Sequence, residues 1–189
     1  MARARVTTVE AIRSKAATLF ERQGYAKTSL EDIAKAVGVS KPTVYAYVGS
    51  KSELLEQIVI EVMVTLDDGL MAILDNQDSA EAKLRASILL QARAAADQRN
   101  YYQLLFSEQP DLSAAMQDRV NEWARSINHR YAKLIDQCRD EGVLSTDIDP
   151  MVAANLILGM MTSVSRWYRQ RNRFSPEEIG DQAFRMIAL

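Results

Sequence analysis

The stretch that decides the fold is residues 28–51, which read TSLEDIAKAVGVSKPTVYAYVGSK. Two short helices are predicted there, the first ending at Gly38 and the second running from Ser40 to about Val48. Two short helices joined by a tight turn that contains glycine are the layout of a helix-turn-helix. The segment therefore predicts a DNA-binding element whose second helix enters the major groove.

Two capping pairs compete for the start of the first of these helices. Thr28 stands three residues before Glu31, and Ser29 stands three residues before Asp32. Either pair can close a capping box, in which a hydroxyl and a carboxylate each bond to the backbone amide of the other residue. The sequence leaves the choice open.

The second helix carries side chains that suit the recognition of base edges. Hydrogen-bonding groups of different reach come from Ser40, Lys41, Thr43, Tyr45 and Tyr47, whereas Pro42 and Ala46 offer apolar contacts for thymine methyl groups. Val44 and Val48 are four residues apart and are predicted to face the core. Thr28 and Ser29 can offer hydroxyls and free amides to a phosphate, and Lys51 adds a positive charge.

Charge divides the chain unequally. Residues 1–52 hold nine Lys or Arg and four acidic residues, whereas residues 53–189 hold fourteen and twenty-one. The first segment is thus basic, although the net charge of the whole chain is −2. A basic head on an acidic body is typical of a polyanion-binding module joined to a second domain, but a surplus this small can also arise by chance.

The rest of the sequence predicts helices and no strands. Apolar residues recur at helical spacing, as in Leu54, Ile58 and Val62, and only seven Gly and four Pro interrupt the 189 residues. One helix is predicted to begin near Thr7, before the helix-turn-helix, and the others lie near 51–74, 79–97, 99–108, 112–141, 150–171 and 176–188. The predicted fold class is therefore all-α, with about nine helices.

Residues 8–55 resemble the DNA-binding domain of TetR-family transcriptional regulators. The matching residues are Phe20, Gly24-Tyr25, Thr28-Ser29, Asp32-Ile33-Ala34, Gly38-Val39-Ser40, Pro42-Thr43-Val44-Tyr45, Ser50-Lys51 and Leu54. Val48 stands where many members carry Phe, which affects packing alone. Glu31 stands where many carry Arg, so a DNA contact from that position is not carried over.

The resemblance implies a homodimer that binds a pseudo-palindromic operator in double-stranded DNA. It places a three-helix DNA-binding head at 1–52 and a helical ligand-binding and dimerisation domain at 53–189. By position it implies that the DNA-facing residues are Thr28, Ser29, Ser40, Lys41, Pro42, Thr43, Tyr45, Tyr47 and Lys51.

The resemblance also implies that the last two helices pair with those of the partner subunit in a four-helix interface. The apolar residues expected to form this interface are Met151, Leu158, Met161, Phe184 and Ile187. A stripe this apolar could equally be ordinary core.

A basic cluster near the end of the chain is the candidate effector site. Arg166, Arg169 and Arg173 recur at a spacing that puts them on one helix face, next to Trp167. They either complement the negative end of the helix dipole or bind a phosphate or carboxylate. With residues 174–179, the segment resembles that of TetR-family members that sense acyl-CoA thioesters. The candidate ligand-binding residues are Trp123, Arg166, Trp167 and Arg169, and the effector is an acyl-CoA-type molecule or an uncharged hydrophobic one.

The sequence contains no pattern for catalysis, a metal or a cofactor. His129 is the only histidine, Cys138 is the only cysteine, and the HExxH, GxSxG, P-loop and GxGxxG patterns are missing. We therefore expect no catalytic residue, no metal and no cofactor, with Cys138 in the core. The longest apolar stretch, 151–164, is too short to span a membrane, and no signal peptide is visible, so a cytoplasmic protein is expected.

Three functions follow as hypotheses. The main one is a ligand-responsive transcriptional regulator, a repressor that a small effector releases from its operator; activation instead would depend on where the operator lies. The alternatives use the same helix-turn-helix. They are a sequence-indifferent nucleoid protein and a helical small-molecule-binding protein.

Overall fold

The computed structural model describes residues 8–107, 111–169 and 173–188. Within these ranges the chain forms nine α-helices and no strand, which confirms the all-α fold class. The helices are α1 Val9–Gln23, α2 Leu30–Val37, α3 Lys41–Tyr47, α4 Lys51–Leu74, α5 Ala80–Asp97, α6 Arg99–Ser107, α7 Ala114–Asp140, α8 Pro150–Trp167 and α9 Pro176–Arg185.

Several helix ends differ from the prediction, including that of α9, which ends at Arg185 rather than near residue 188. α1 is capped by Thr8, whose hydroxyl accepts the amide of Ala11, whereas Thr7 lies outside the described residues. α8 ends at Trp167 rather than near residue 171, because Tyr168 adopts an extended conformation with φ −64° and ψ 140°. Tyr168 itself is buried, whereas Arg169 is exposed.

The described residues form two compact units, and α4 contributes to both. The head unit takes its residues from Met1–Val62 and Asn100–Asp118, and the body unit takes its residues from Met63–Arg99 and Arg119–Leu189. The domain boundary after residue 52 stays a prediction, since it marks where the binding motif ends in the sequence.

The head unit packs α1 on α2 and α2 on α3. Its core contains Phe20, Ile33, Ala34, Val44 and Val48, all of them almost fully buried. The inward orientation predicted for the two valines is therefore confirmed. Burial of side chains this size stabilises the unit by about 1.5–3 kcal/mol for each of the larger ones.

The body unit is organised around α5, which packs against α8 and α9. The approach of α9 is close at Gly180, where a Cβ atom would lie 3.3 Å from the Cα atom of Leu89. The hydroxyl of Tyr131 on α7 donates a hydrogen bond of 2.9 Å to the carbonyl oxygen of Ser87 on α5. Cys138 lies in this core as expected, and its burial raises the pKa of the thiol to about 12.

Candidate nucleic-acid interface

The turn between α2 and α3 is made by Gly38 in the left-handed conformation, with φ 81°. Its amide donates to the carbonyl oxygens of Ala34 and Lys35, so the last turn of α2 is closed by the backbone itself. A residue with a Cβ rarely adopts this φ, which explains why glycine stands at this point. The geometry is that of the predicted helix-turn-helix.

α3 presents its polar face outward because its apolar face is committed to the core. The side chains of Tyr45 and Tyr47 are 47% and 42% exposed, and Lys41 and Pro42 are also exposed. The ammonium of Lys41 lies 5.9 Å from the centre of the Tyr45 ring. The structure thus brings four of the predicted DNA-facing residues onto one exposed surface.

The hydroxyls of Ser29 and Ser40 cap the N-termini of α2 and α3. Ser29, rather than Thr28, begins α2: its hydroxyl accepts the Asp32 amide and donates to the Asp32 carboxylate at 2.6 Å. These bonds from the Ser29 hydroxyl, and then from its amide, hold the pKa of Asp32 below its ordinary value. At α3, the hydroxyls of Ser40 and Thr43 lie 2.7 Å apart and Ser40 accepts the Thr43 amide.

Thr28 requires a correction. The residue is only 2% exposed, and its hydroxyl donates to the carbonyl oxygen of Gly24 at 2.9 Å while accepting from the side-chain Nε2 of Gln23 at 3.1 Å. A hydroxyl has a single proton to donate, so none remains for a phosphate. The side chain of Thr28 instead closes the loop between α1 and α2.

Lys51, at the start of α4, is anchored to the same loop. Its ammonium donates to the carbonyl oxygen of Tyr25 at 2.8 Å and to that of Ala26 at 3.4 Å, and lies 4.2 Å from the centre of the Tyr25 ring. Because an ammonium has three protons, one donor remains for a phosphate. The sequence did not predict the anchoring role, since no local pattern relates residues that are 26 positions apart.

The N-terminus of α2, α3 and the start of α4 surround a groove of about 520 Å³, which we call the head groove. Three lysines and one glutamate line it, so its charge favours an anion. That glutamate, Glu31, is paired with Lys35 at 3.1 Å. The lining residues are Ala26, Lys27, Thr28, Ser29, Leu30, Glu31, Lys41, Tyr45, Gly49, Ser50 and Lys51.

Two family models match the chain. One, described as the C-terminal domain of tetracyclin-repressor-like proteins, matches residues 77–189, and the other, described as bacterial regulatory proteins of the tetR family, matches residues 12–58. The first match alone covers more than half of the chain. The chain belongs to the TetR family.

Relatives and solved structures agree with this assignment. The transcriptional repressor KstR2 of Mycolicibacterium smegmatis is 23% identical over 176 residues, which are 91% of this chain and 84% of that protein. The structure of the ketosteroid transcriptional regulator KstR2 of Mycobacterium tuberculosis has a TM-score of 0.89 at 18% identity and covers 98% of both chains. The structure of AibR in complex with isovaleryl coenzyme A and operator DNA has a TM-score of 0.83 at 23% identity and covers 95% of this chain and 97% of that one. At these identities the structures show a shared TetR fold.

The candidate ligand-binding residues of this TetR-family chain fall into two environments. Trp123 packs against the core of the body unit, and its indole nitrogen is buried with no hydrogen-bond partner among the described residues. Arg166, Trp167 and Arg169 are exposed at the end of α8. Because α8 ends at Trp167, Arg169 and Arg173 do not continue its helix face, and the guanidinium of Arg169 instead donates to the carbonyl oxygens of Arg166 and Tyr168.

The candidate dimerisation residues are also divided. Met161 and Phe184 are almost fully buried in the core of their own chain, so they are not available to a partner, and this part of the prediction needs correction. Met151, Leu158 and Ile187 are half-buried. Exposed apolar side chains nearby in the sequence include Val152, Leu156 and Met186, none of which was predicted to lie at the interface.

Metal binding and membrane spanning are not supported by the described part of the chain. No three His, Cys, Asp or Glu side chains come together there as metal ligands, and His129 is exposed with its Nδ1 atom 2.7 Å from the carbonyl oxygen of Arg125. None of the described helices has the length and apolar character needed to cross a membrane.

The anchoring of Lys51 leads to a first prediction. Lys51→Ala should lower the free energy of unfolding by about 1–2 kcal/mol, because hydrogen bonds from a charged group contribute about that much. Lys27→Ala is the matched control: Lys27 lines the same groove but is exposed, and its removal should leave the stability unchanged. Urea denaturation without DNA, followed by circular dichroism, measures both. Equal stability of the two variants would contradict the anchoring role.

Proposed function

We propose that this chain is a ligand-responsive transcriptional repressor that acts by binding rather than by catalysis, in the cytoplasm. One observation carries the proposal: a TetR-family head exposes Lys41, Tyr45 and Tyr47 on α3 beside a groove lined by lysines. The exposed face of α3 supplies donors for base edges in the major groove, and the head groove supplies charge and helix N-terminal amides for phosphate.

The roles that we propose within the head follow from the hydrogen-bond donors that each side chain does not use within the chain. Lys41 and Tyr45 are exposed and carry donors, which suits them to contacts with DNA. Ser29 and Ser40 act through the backbone amides that they hold at the helix starts, since their hydroxyls already bond within the chain. The ammonium of Lys51 anchors the loop between α1 and α2 and keeps one N–H donor for a phosphate.

Two copies of the chain are needed to read a pseudo-palindromic operator. The partner surface that we propose lies on the exposed face of α8, around Val152, Leu156 and Gly159, together with Met186 beyond α9. Leu156 is 69% exposed, which is unusual for so large an apolar side chain unless another surface covers it. Beyond the backbone of its own helix, a Cβ at Gly159 would meet no atom of the described residues within 4 Å, so their packing does not require glycine there.

The effector is proposed to enter the body unit with an uncharged, mainly apolar part. The buried polar side chains described in that unit are Ser87, Gln91 and Ser165, none of them charged. The indole nitrogen of Trp123 and the amide oxygen of Asn128 are buried without a hydrogen-bond partner, which suits a ligand that offers one acceptor and one donor. Any anionic part would remain outside, where Arg166 and Arg169 are exposed.

Two kinds of effector fit an uncharged interior with arginines at the surface, and each corresponds to a molecule that is named for a structurally similar protein. The structure of KstR2 of M. tuberculosis is that of a ketosteroid regulator, and AibR was solved with isovaleryl coenzyme A. A ketosteroid would need only the uncharged interior, whereas an acyl-CoA would also engage the exposed arginines. Either would act by favouring a conformation with weak operator affinity, and by linkage the operator would weaken effector binding by the same factor.

The proposed base contact and phosphate contact can be separated by variants. After selection of the genomic fragments that the protein retains, Tyr47→Ala should lose about 1–3 kcal/mol of operator affinity and leave random-duplex affinity unchanged. Lys41→Ala should weaken binding to both duplexes and lower the salt slope by about one. Gel-shift titrations over a salt series measure these effects.

The same titrations test the two alternative functions. Equal losses of Tyr47→Ala on both duplexes would remove this residue from base recognition. Random duplex bound as tightly as every selected fragment would favour a nucleoid protein. The absence of any retained duplex at low salt would favour a small-molecule-binding protein.

The partner surface can be tested by the oligomeric state. Leu156→Asp should convert the dimer to a monomer at micromolar concentration, because a buried unpaired carboxylate is costly, and should weaken operator binding. Val64→Asp is the matched control, since Val64 is also exposed but lies on α4. Light scattering after size-exclusion chromatography gives the molar mass. A dimer that persists in Leu156→Asp would place the interface elsewhere.

The two effector classes can be told apart with single-tryptophan proteins. Trp167→Phe leaves Trp123 as the only indole, and Trp123→Phe leaves Trp167. Androstenedione should change the emission of Trp123 alone, isovaleryl coenzyme A should change both, and coenzyme A should change Trp167 alone. A compound that releases the operator without changing Trp123 emission would contradict the interior site.

A further inference from the structure

A second concave surface lies in the body unit, at the C-terminal end of α4. It has a volume of about 330 Å³, which is within the range of small-ligand pockets, and we call it the α4–α7 pocket. Its walls come from the end of α4, the start of α5 and the second half of α7. The lining residues are Met71, Leu74, Asp75, Lys83, Arg130, Lys133, Leu134 and Gln137.

The floor of this pocket is apolar. Leu134 belongs to the buried core of the body unit, and Leu74 packs against that core. Met71 is 40% exposed beside them. The unbranched, polarisable side chain of a methionine adapts readily to ligands of different shape, so Met71 provides an apolar surface that a small aliphatic group can cover.

Two cations of the pocket are held in fixed positions. The ammonium of Lys83 donates to the carbonyl oxygen of Leu74 at 2.9 Å, and the guanidinium of Arg130 pairs with the carboxylate of Asp67 at 2.7 Å. An ammonium has three N–H donors and a guanidinium has five, so each retains donors for a further acceptor. The positions of both groups are therefore preorganised for an anion.

Lys133 supplies the third cation. It is exposed and makes no hydrogen bond or ion pair within the described residues, whereas the lining contains a single carboxylate, that of Asp75. Lys83 bonds to a terminal carbonyl of α4, so its position is explained by the favourable interaction of a cation with the negative end of the helix dipole. The position of Lys133 is not explained in this way, because Lys133 makes no hydrogen bond to such a carbonyl.

We propose that the α4–α7 pocket binds a small amphipathic anion, with a carboxylate or phosphate beside Lys83 and Lys133 and a short aliphatic body over Met71 and Leu134. The residues that line this pocket include none of the candidate effector residues and none of those that line the head groove. Nothing in the proposed repressor function assigns a role to these residues.

Methionine-methyl spectroscopy tests the site directly on the full chain. The protein is labelled with ¹³C-methyl-methionine, Met71→Leu identifies the Met71 signal, and the probes are sodium octanoate, octyl phosphate and octanol. Octanoate or octyl phosphate should shift the Met71 signal at millimolar concentration, and whichever binds more tightly identifies the preferred head group. Octanol should bind more weakly than both.

Charge variants identify the anion contact. Lys133→Gln should weaken octanoate binding about two- to fivefold, in keeping with the loss of one solvent-accessible ion pair. Lys35→Gln makes the same change at an exposed lysine of α2 and should leave the affinity unchanged. Because both side chains are exposed, both variants should fold.

Three results would overturn the proposal. They are no Met71 shift with either anionic probe, shifts confined to other methionines, and octanol binding that equals octanoate binding and is insensitive to Lys133→Gln. None of these results depends on an operator or on DNA, so none of them bears on the repressor proposal, which is tested separately.

Discussion

Val44 and Val48 are buried in the core of the head unit, and this packing decides which side chains of α3 face outward. A helix of seven residues has too few internal hydrogen bonds to be stable alone, so its existence and its rotation both come from packing. A rotation of α3 that exposed the valines would bury Pro42 and Ala46 in their place. The hydroxyl of Ser40 caps the start of α3, and the core fixes the orientation of this helix.

The body unit differs from the head unit in the polar groups that its interior contains. The fully buried polar side chains described there are uncharged, and three buried polar atoms, on Trp123, Asn128 and Arg139, have no hydrogen-bond partner among the described residues. The arginines that could bind an anion are kept at the surface. A ligand that is apolar at one end and polar at the other fits this arrangement better than one that is charged throughout.

The elements that were predicted correctly are those governed by local chemistry. The helix-turn-helix, the inward valines and the cap at Ser40 all follow from residues within a few positions of one another. The features that the sequence did not predict depend on how the loop between α1 and α2 folds. The hydroxyl of Thr28 bonds within that loop to the carbonyl oxygen of Gly24, and Lys51 bonds to the same loop from 26 residues later.

Apolar pattern alone also cannot separate a core from an interface. Met161 and Phe184 are as apolar as Leu156, and only the packing of α8 and α9 on α5 shows which of them remain exposed. For the same reason the sequence could not show that Trp123 lies inside the bundle while Trp167 lies on its surface.

The burial of Cys138 has a consequence for the signals that this chain can sense. Oxidants attack the thiolate of an accessible cysteine, whereas this thiol is buried with its pKa raised to about 12, and the sequence has no other. Peroxide and electrophiles therefore find no reactive sulfhydryl in the folded chain. A switch based on cysteine oxidation is therefore not built into this fold.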